Sequence, residues 1–241
     1  MSTRWDGKRL YNNWKKRARV FFGTQRITVS GLDHIPTTGG GILASNHLNW
    51  KDIFFIATVI PRHLHYVATY ELFSISKCRE MIYDYAIESL GNWVRAPMRV
   101  ISDFLAKIIV PRVRSIGAIP VNRDNPNREL FLREAKESLK AGKLICIFPE
   151  GGTGLAGKLR RFKKGASRVV YELLAEGLYR IPVLPIGIKG TDKLFFPGRR
   201  LSLHIGKPLY IEEHLKDTEK DTLEFFTELL RQKVEELVRY A

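Results

Sequence analysis

His47 and Asp52 stand five positions apart in Ala44-Ser45-Asn46-His47-Leu48-Asn49-Trp50-Lys51-Asp52. An imidazole can take up and return a proton near neutral pH, and a carboxylate on one ring nitrogen fixes which nitrogen stays free. Inside one helix, five residues turn through about 500°, which would leave the two side chains about 140° apart. The pair closes only if His47 lies in a loop ahead of a helix and Asp52 in that helix's first turn. Asn49 is a suitable N-cap, and a carboxylate at Asp52 suits the helix N-terminus, where it stays ionised. The pattern describes a general base with its orienter, and it requires no Ser or Cys nucleophile. Taken by itself, the spacing also fits a capping Asp beside an incidental His.

Three further blocks supply context. Gly117-Ala118-Ile119-Pro120-Val121-Asn122-Arg123 is a short strand ending in a cation. Phe148-Pro149-Glu150-Gly151-Gly152-Thr153-Gly154 follows an apolar strand and leads to Phe162-Lys163-Lys164-Gly165-Ala166 at the head of a helix. Val183-Leu184-Pro185-Ile186-Gly187-Ile188-Lys189-Gly190 closes the series. One glycine run is a decoy. From Gly152 to Lys158 it matches G-x-x-x-x-G-K, but Leu159 stands where a nucleotide-binding loop needs Ser or Thr to hold Mg²⁺.

In this order the four blocks resemble the glycerolipid acyltransferase family, which includes the 1-acylglycerol-3-phosphate acyltransferases and follows the pattern N-H-x4-D, G-x-I-P-V-x-R, F-P-E-G, V-x-P-I/V. The similarity runs from about Ile27 to Gly190 and takes in Ser30-Gly31-Leu32-Asp33-His34-Ile35-Pro36. It implies that His47 deprotonates an acceptor hydroxyl, which attacks the thioester of acyl-CoA or acyl-carrier protein, with Asp52 orienting the base. It further implies that Arg123 holds the acceptor phosphate, where a guanidinium suits bidentate oxyanion contacts. Glu150, Gly151 and Lys163 would bind substrate with it, and Pro185 would shape the acyl or donor pocket. The implied product is phosphatidic acid for phospholipid synthesis, with a lysophospholipid or lipid alcohol as the alternative acceptor. No metal or cofactor is implied beyond the acyl carrier as co-substrate. Two departures bear on the phosphate. Gly152-Thr153 replaces a usual Thr-Arg, and Val67-Ala68-Thr69-Tyr70 lacks the Lys that often precedes Glu-Leu-Phe. Lys158, Arg160, Arg161 and Lys163 are the nearby cations available in their place.

The elements that must position these residues can be read from periodicity. Strands are expected at Arg26–Val29, Gly41–Ala44, Leu64–Ala68, Ala118–Val121, Lys143–Phe148, Val183–Ile188 and Leu201–Ile205, and helices at Trp50–Val59, Arg128–Ala141, Gly165–Glu176 and Asp221–Tyr240. Such alternation predicts an α/β domain over residues 1–241, with a mostly parallel mixed sheet flanked by helices, as the resemblance also implies. Residues 1–24 read as a basic amphipathic helix in which Tyr11, Trp14, Ala18, Phe21 and Phe22 recur at helical spacing and the aromatic ones could act as anchors, the composition of an interfacial membrane helix; a solvated helix packed on the domain would account for it as well. Between 74 and 115 a helical insert places Met98, Ile101, Leu105 and Ile108 on one face and Arg99, Asp103 and Lys107 on the other. Core packing or lipid contact would both account for it.

Composition sets the outer bounds. The 241 residues are 44% hydrophobic, enough for a packed core, and carry 40 Lys and Arg against 25 Asp and Glu, for a net charge of +15. Such a field attracts anions, whether nucleic acid, acidic lipid headgroups or phosphorylated substrates. No RNA- or DNA-binding signature is present, so an anionic membrane is the expected partner and nucleic acid is not. Cys78 and Cys146 make neither a disulfide framework nor a metal motif. No stretch reaches the roughly 20 apolar residues of a membrane span. The expectation is a peripheral or monotopic protein on the cytoplasmic side of a membrane.

Overall fold

The computed structural model describes residues 7–122, 128–153, 158–178, 180–192 and 197–240. Its elements are α1 (Gly7–Phe22), β1 (Arg26–Ser30), β2 (Gly41–Ser45), α2 (Lys51–Val59), β3 (Leu64–Thr69), α3 (Ile75–Leu90), α4 (Arg95–Ser115), β4 (Ile119–Val121), α5 (Arg128–Lys140), β5 (Leu144–Ile147), α6 (Gly165–Ala175), β6 (Val183–Lys189), β7 (Arg200–Ile205) and α7 (Glu219–Tyr240). Every expected strand and helix is present with ends shifted by a residue or two. The fold is α/β, with a mostly parallel sheet flanked by helices. Chain contacts divide it into two compact units, Met1–Asn12 with Val67–Phe131, and Asn13–Tyr66 with Leu132–Ala241.

In the larger unit the sheet runs β1-β7-β6-β2-β5-β3, and every neighbouring pair is parallel except β6 with β7. The strands β2 and β5 are buried at every residue, as is β6 up to Ile188. Buried runs rich in Ile, Leu and Val therefore form the middle of the sheet, as expected where helices cover both faces. The last helix, α7, buries Leu223, Phe226, Leu230 and Val234, an apolar stripe at helical spacing. It lies close against β6 because Gly187 has no side chain: a Cβ there would come within 2.7 Å of the Leu237 backbone.

The C-terminal half of α1 packs on α2. Trp14 meets Phe54 with ring centroids 4.7 Å apart, Phe22 meets Phe55 at 5.4 Å, and the Lys15 ammonium donates to the Ile60 carbonyl. Tyr11, Ala18 and Phe22 are buried. This corrects the expectation of aromatic anchors turned to lipid, since most of that stripe is the packing face. The outer face keeps Lys8, Arg9, Lys16, Arg17 and Arg19, with Val20 and Phe21 exposed at its end.

In the smaller unit, Val67–Thr69 of β3 pair in parallel with β4. The helices α3 and α4 form an antiparallel pair around Cys78, Ala106 and Val110, with Leu72, Ile82 and Ile109 packed on them. The pair is pinned at its base by Arg114, which donates to the Phe73 carbonyl at 2.7 Å. The buried stripe of α4 is Ser102, Ala106 and Val110, while Ile101 is exposed. Of the expected face, Met98, Leu105 and Ile108 are half-buried and only Ile101 is exposed, so that face borders the packed stripe rather than forming it. Small side chains at Ser102 and Ala106 let the two helix backbones approach, Ile109 packs beside them, and Val100, Ile101 and Phe104 are left outside.

Burial, with the neighbouring Arg19 adding to it, holds the Lys15 ammonium down at a pKa of about 8 against its ordinary 10.5. Below pH 8 the charge is present in both folded and unfolded chains, and the burial penalty is felt in full. Between about pH 8 and 10.5 the unfolded chain holds a proton that the folded chain has lost, so stability rises with pH across that window. Melting temperatures of the wild type and Lys15→Met, compared from pH 7 to 10, should shift in favour of the wild type above pH 8. A gap that stays constant across the series contradicts this account.

Candidate active site

The strand β2 ends at Ser45, and its two parallel neighbours, β5 and β6, end on the same side of the sheet. The loop after β2 carries Asn46, His47, Leu48 and Asn49 into α2. Loops at the carboxyl ends of parallel strands are where such sheets build their sites. Asn46 fixes the loop's start. Its buried carboxamide donates to the Ile188 carbonyl at 3.0 Å and accepts from the Ile188 amide at 2.8 Å, completing a strand-like pair with β6.

Asp52 is fully buried in the first turn of α2. Its Oδ2 accepts from His47 Nδ1 at 2.9 Å, from the Leu48 amide at 2.6 Å and from the Asn49 amide at 2.8 Å. The loop-then-helix geometry expected for the pair is therefore present. The cap differs in detail. Trp50 occupies the N-cap position, and Asn49 Oδ1 takes only a long 3.4 Å contact from the Lys51 amide. Three donors converge on one oxygen because the loop folds back over the helix N-terminus, a place that favours a carboxylate. With Nδ1–H donated to Asp52, Nε2 of His47 is the nitrogen that carries the lone pair. The ring stacks on Phe148 at 4.1 Å and its side chain is 16% exposed, so it is held yet reachable.

Glu150 is also buried, and both its oxygens are engaged. Oε1 accepts from the His47 amide at 2.9 Å and Oε2 from the Arg160 amide at 2.9 Å. This carboxylate ties the loop bearing the base to the basic segment beyond Gly151. Gly151 has φ of 69°, and a Cβ there would meet Lys163 Cε at 2.7 Å. The glycine serves both a left-handed turn and the passage of the Lys163 side chain across it. Lys163 is exposed, as are Lys158, Arg160 and Arg161. Pro185 lies buried within β6 opposite Ala44, against Gly206, where a Cβ would meet Pro185 Cγ at 2.8 Å. Arg123 lies outside the described residues.

An open cleft of about 60 Å³ is bordered by Asn46, Leu48, Glu150, Lys158 and Leu159, and by Val238 and Arg239 of α7. The α7 wall had no sequence signal, because it depends on the helix lying down over Gly187. Asn46 and Phe148 were inside recognised blocks, but a sequence does not show that one clamps the loop and the other supports the ring.

Among the described residues, no Ser or Cys is placed as a nucleophile beside His47. Ser45 is buried and donates to the Asn46 carbonyl at 3.0 Å. Cys78 and Cys146 are buried, and desolvation pushes both thiols up, with Asp52 adding to the effect on Cys146. Among the described residues, no group of three His, Cys, Asp or Glu side chains is placed to hold a metal ion.

Residues 26–89 and 97–189 match the family model described as Acyltransferase. The 1-acyl-sn-glycerol-3-phosphate acyltransferase of Bacillus subtilis is 26% identical over 214 residues, covering 88% of this chain and 87% of that protein. A chloroplastic protein of the same description from Arabidopsis thaliana is 26% identical over 183 residues, covering 75% of this chain and 41% of that longer protein. Among solved structures, the 1-acyl-sn-glycerophosphate (LPA) acyltransferase PlsC from Thermotoga maritima superposes with a TM-score of 0.59 at 22% identity, over 96% of this chain and 81% of that one.

Charge-assisted hydrogen bonds of the kind made by Glu150 contribute about 1.5–3 kcal/mol each. Glu150→Gln keeps the shape and can still accept one bond, but it sets an amide donor against a backbone N–H. We expect kcat to fall about tenfold to a hundredfold with KM for the acyl donor little changed. An unchanged kcat would show that the tie does not position His47.

Proposed function

The chain belongs to the acyltransferase family and is an O-acyltransferase, and on that premise we propose that it acylates the free hydroxyl of 1-acylglycerol-3-phosphate. The donor is a fatty acyl thioester, acyl-CoA or acyl-carrier protein, and the product is phosphatidic acid for phospholipid synthesis. The observation that carries the reading is the His47–Asp52 pair, with Nδ1 held by a buried carboxylate and Nε2 open.

The acceptor hydroxyl gives its proton to His47 Nε2 while its oxygen forms a bond to the thioester carbonyl carbon. As the tetrahedral intermediate collapses, the C–S bond breaks and the proton passes from His47 to the departing sulfur. Transfer is direct. Asp52 holds the tautomer and stabilises the imidazolium, and placing both substrates together supplies much of the remaining rate. The exposed cations Lys158, Arg160, Arg161 and Lys163 sit beyond the Glu150 tie, at a place suited to an acceptor phosphate.

The second reading keeps the chemistry and changes the acceptor to a lysophospholipid or a lipid alcohol. It is favoured by Thr153, an exposed, uncharged residue at a position where related sequences often carry Arg. In either case the acceptor is a lipid. The cationic outer face of α1 suits the anionic headgroups of the cytoplasmic leaflet, where the protein would act as a peripheral enzyme. Among the described residues no helix is long and apolar enough to cross a membrane.

The deciding experiment is an acyl-transfer assay with acyl-CoA and acyl-carrier protein against phosphorylated and unphosphorylated acceptors. Phosphatidic acid formation from 1-acylglycerol-3-phosphate should dominate. Preference for an acceptor without a phosphomonoester would select the second reading. His47→Ala should lower turnover at least about a hundredfold, the lower bound for a general base. Near-normal turnover in that variant would remove His47 from the chemistry.

A further inference from the structure

The most exposed large apolar side chains of the smaller unit gather on the α3–α4 hairpin. Trp93, in the turn between the helices, is 79% exposed, Val100 is 73% and Phe104 is 62%, with Tyr85, Leu90 and Ile101 also exposed. At about 100° per residue, Pro97, Val100, Ile101 and Phe104 form one stripe of α4. That stripe lies on the side of the helix opposite Ser102, Ala106 and Val110, which face the packed interior. It therefore has no part in holding the hairpin together. An outward stripe of this size is an interaction surface rather than a solvated helix face.

Its chemistry selects the partner. Lys107 and Arg112 flank the stripe on either side, Arg95 and Arg99 stand on the other side of α4 near the hairpin tip, and the helix's single acid, Asp103, is neutralised by Lys107 at 2.6 Å. Docking a second copy would bring these like-charged rims together at a cost. A bilayer takes them without penalty, since arginine and lysine stems reach back to headgroups while the apolar stripe enters the acyl boundary. A tryptophan at the most exposed point, beside cations, is the arrangement that settles at a membrane–water interface.

We infer that the α3–α4 hairpin inserts its tip, led by Trp93 and the Val100–Phe104 stripe, into the interface of an anionic lipid bilayer. This second membrane contact is independent of α1. It rests on the proposed lipid acceptor for its purpose but not for its geometry. The hairpin contributes apolar insertion, whereas α1 offers mainly charge.

The test uses the full-length chain with vesicles of phosphatidylcholine and phosphatidylglycerol. A triple variant, Trp93→Glu with Val100→Glu and Phe104→Glu, should lose at least about tenfold in partition coefficient, the factor corresponding to about 1.4 kcal/mol. Turnover of a short-chain, water-soluble acceptor should be unchanged, which also reports that the variant folds. In the milder Trp93→Phe variant, the fluorescence quenching of the wild type by brominated lipids should drop while partition is largely kept. Unchanged partition in the triple variant overturns the inference. So does a wild-type dimer that the triple variant abolishes, since a second copy would then cover the stripe. Loss of turnover with acyl-carrier protein alone, with partition intact, overturns it in favour of the carrier protein as occupant. If neither protein transfers acyl groups yet partition falls as expected, the hairpin inference stands and the functional reading fails.

Discussion

One oxygen atom organises the site. Asp52 Oδ2 receives three N–H groups, from the His47 ring and from the backbone of the two residues that follow it. The same contact orients the imidazole, turns the loop into α2 and satisfies amides that the turn would otherwise leave bare. Its companion Oδ1 is buried and, among the described residues, has no hydrogen-bond partner. A buried carboxylate can hold such a turn only on rigid elements. The buried runs of β2, β5 and β6 provide that rigidity, and α1 adds to it by packing Trp14 and Phe22 on α2.

The second buried carboxylate plays a different part. Asp52 acts on the ring of His47, whereas Glu150 acts on its backbone and, through its other oxygen, on the backbone at Arg160. Between them they fix the base from two directions without occupying Nε2. The loop geometry at Gly151 brings Lys163 to the same place. The reactive nitrogen and the cationic segment are therefore assembled by backbone contacts rather than by direct links between their side chains.

Much of this was legible from residue types. Buried parallel strands announce themselves as apolar runs rich in Ile, Leu and Val, and His47 and Asp52 at their spacing can meet only in the loop-then-helix arrangement that is present. The resemblance pointed to Glu150 and Lys163, and the structure has Glu150 bonded to the His47 amide and Lys163 lying across Gly151. What escaped was which face of an element meets which neighbour. In α1 the aromatic stripe proved to be mainly core, and in α4 the packed stripe is the one with the small side chains. Hydrophobicity ranks residues by their aversion to water, but helix contacts are also governed by how closely two backbones can approach. The α7 wall of the cleft and the support of His47 by Phe148 depend on chain segments far apart in sequence, so no local pattern records them.

The division of α4 into a narrow inner stripe and a bulky outer one has a consequence for how such a protein can diverge. Replacing Ser102 or Ala106 with larger residues would force α3 and α4 apart, so those positions are constrained by sterics. Val100, Ile101 and Phe104 carry no such constraint and can be exchanged for other residues at little expense to folding. The outer stripe is thus free to vary without disturbing the packing of α3 on α4.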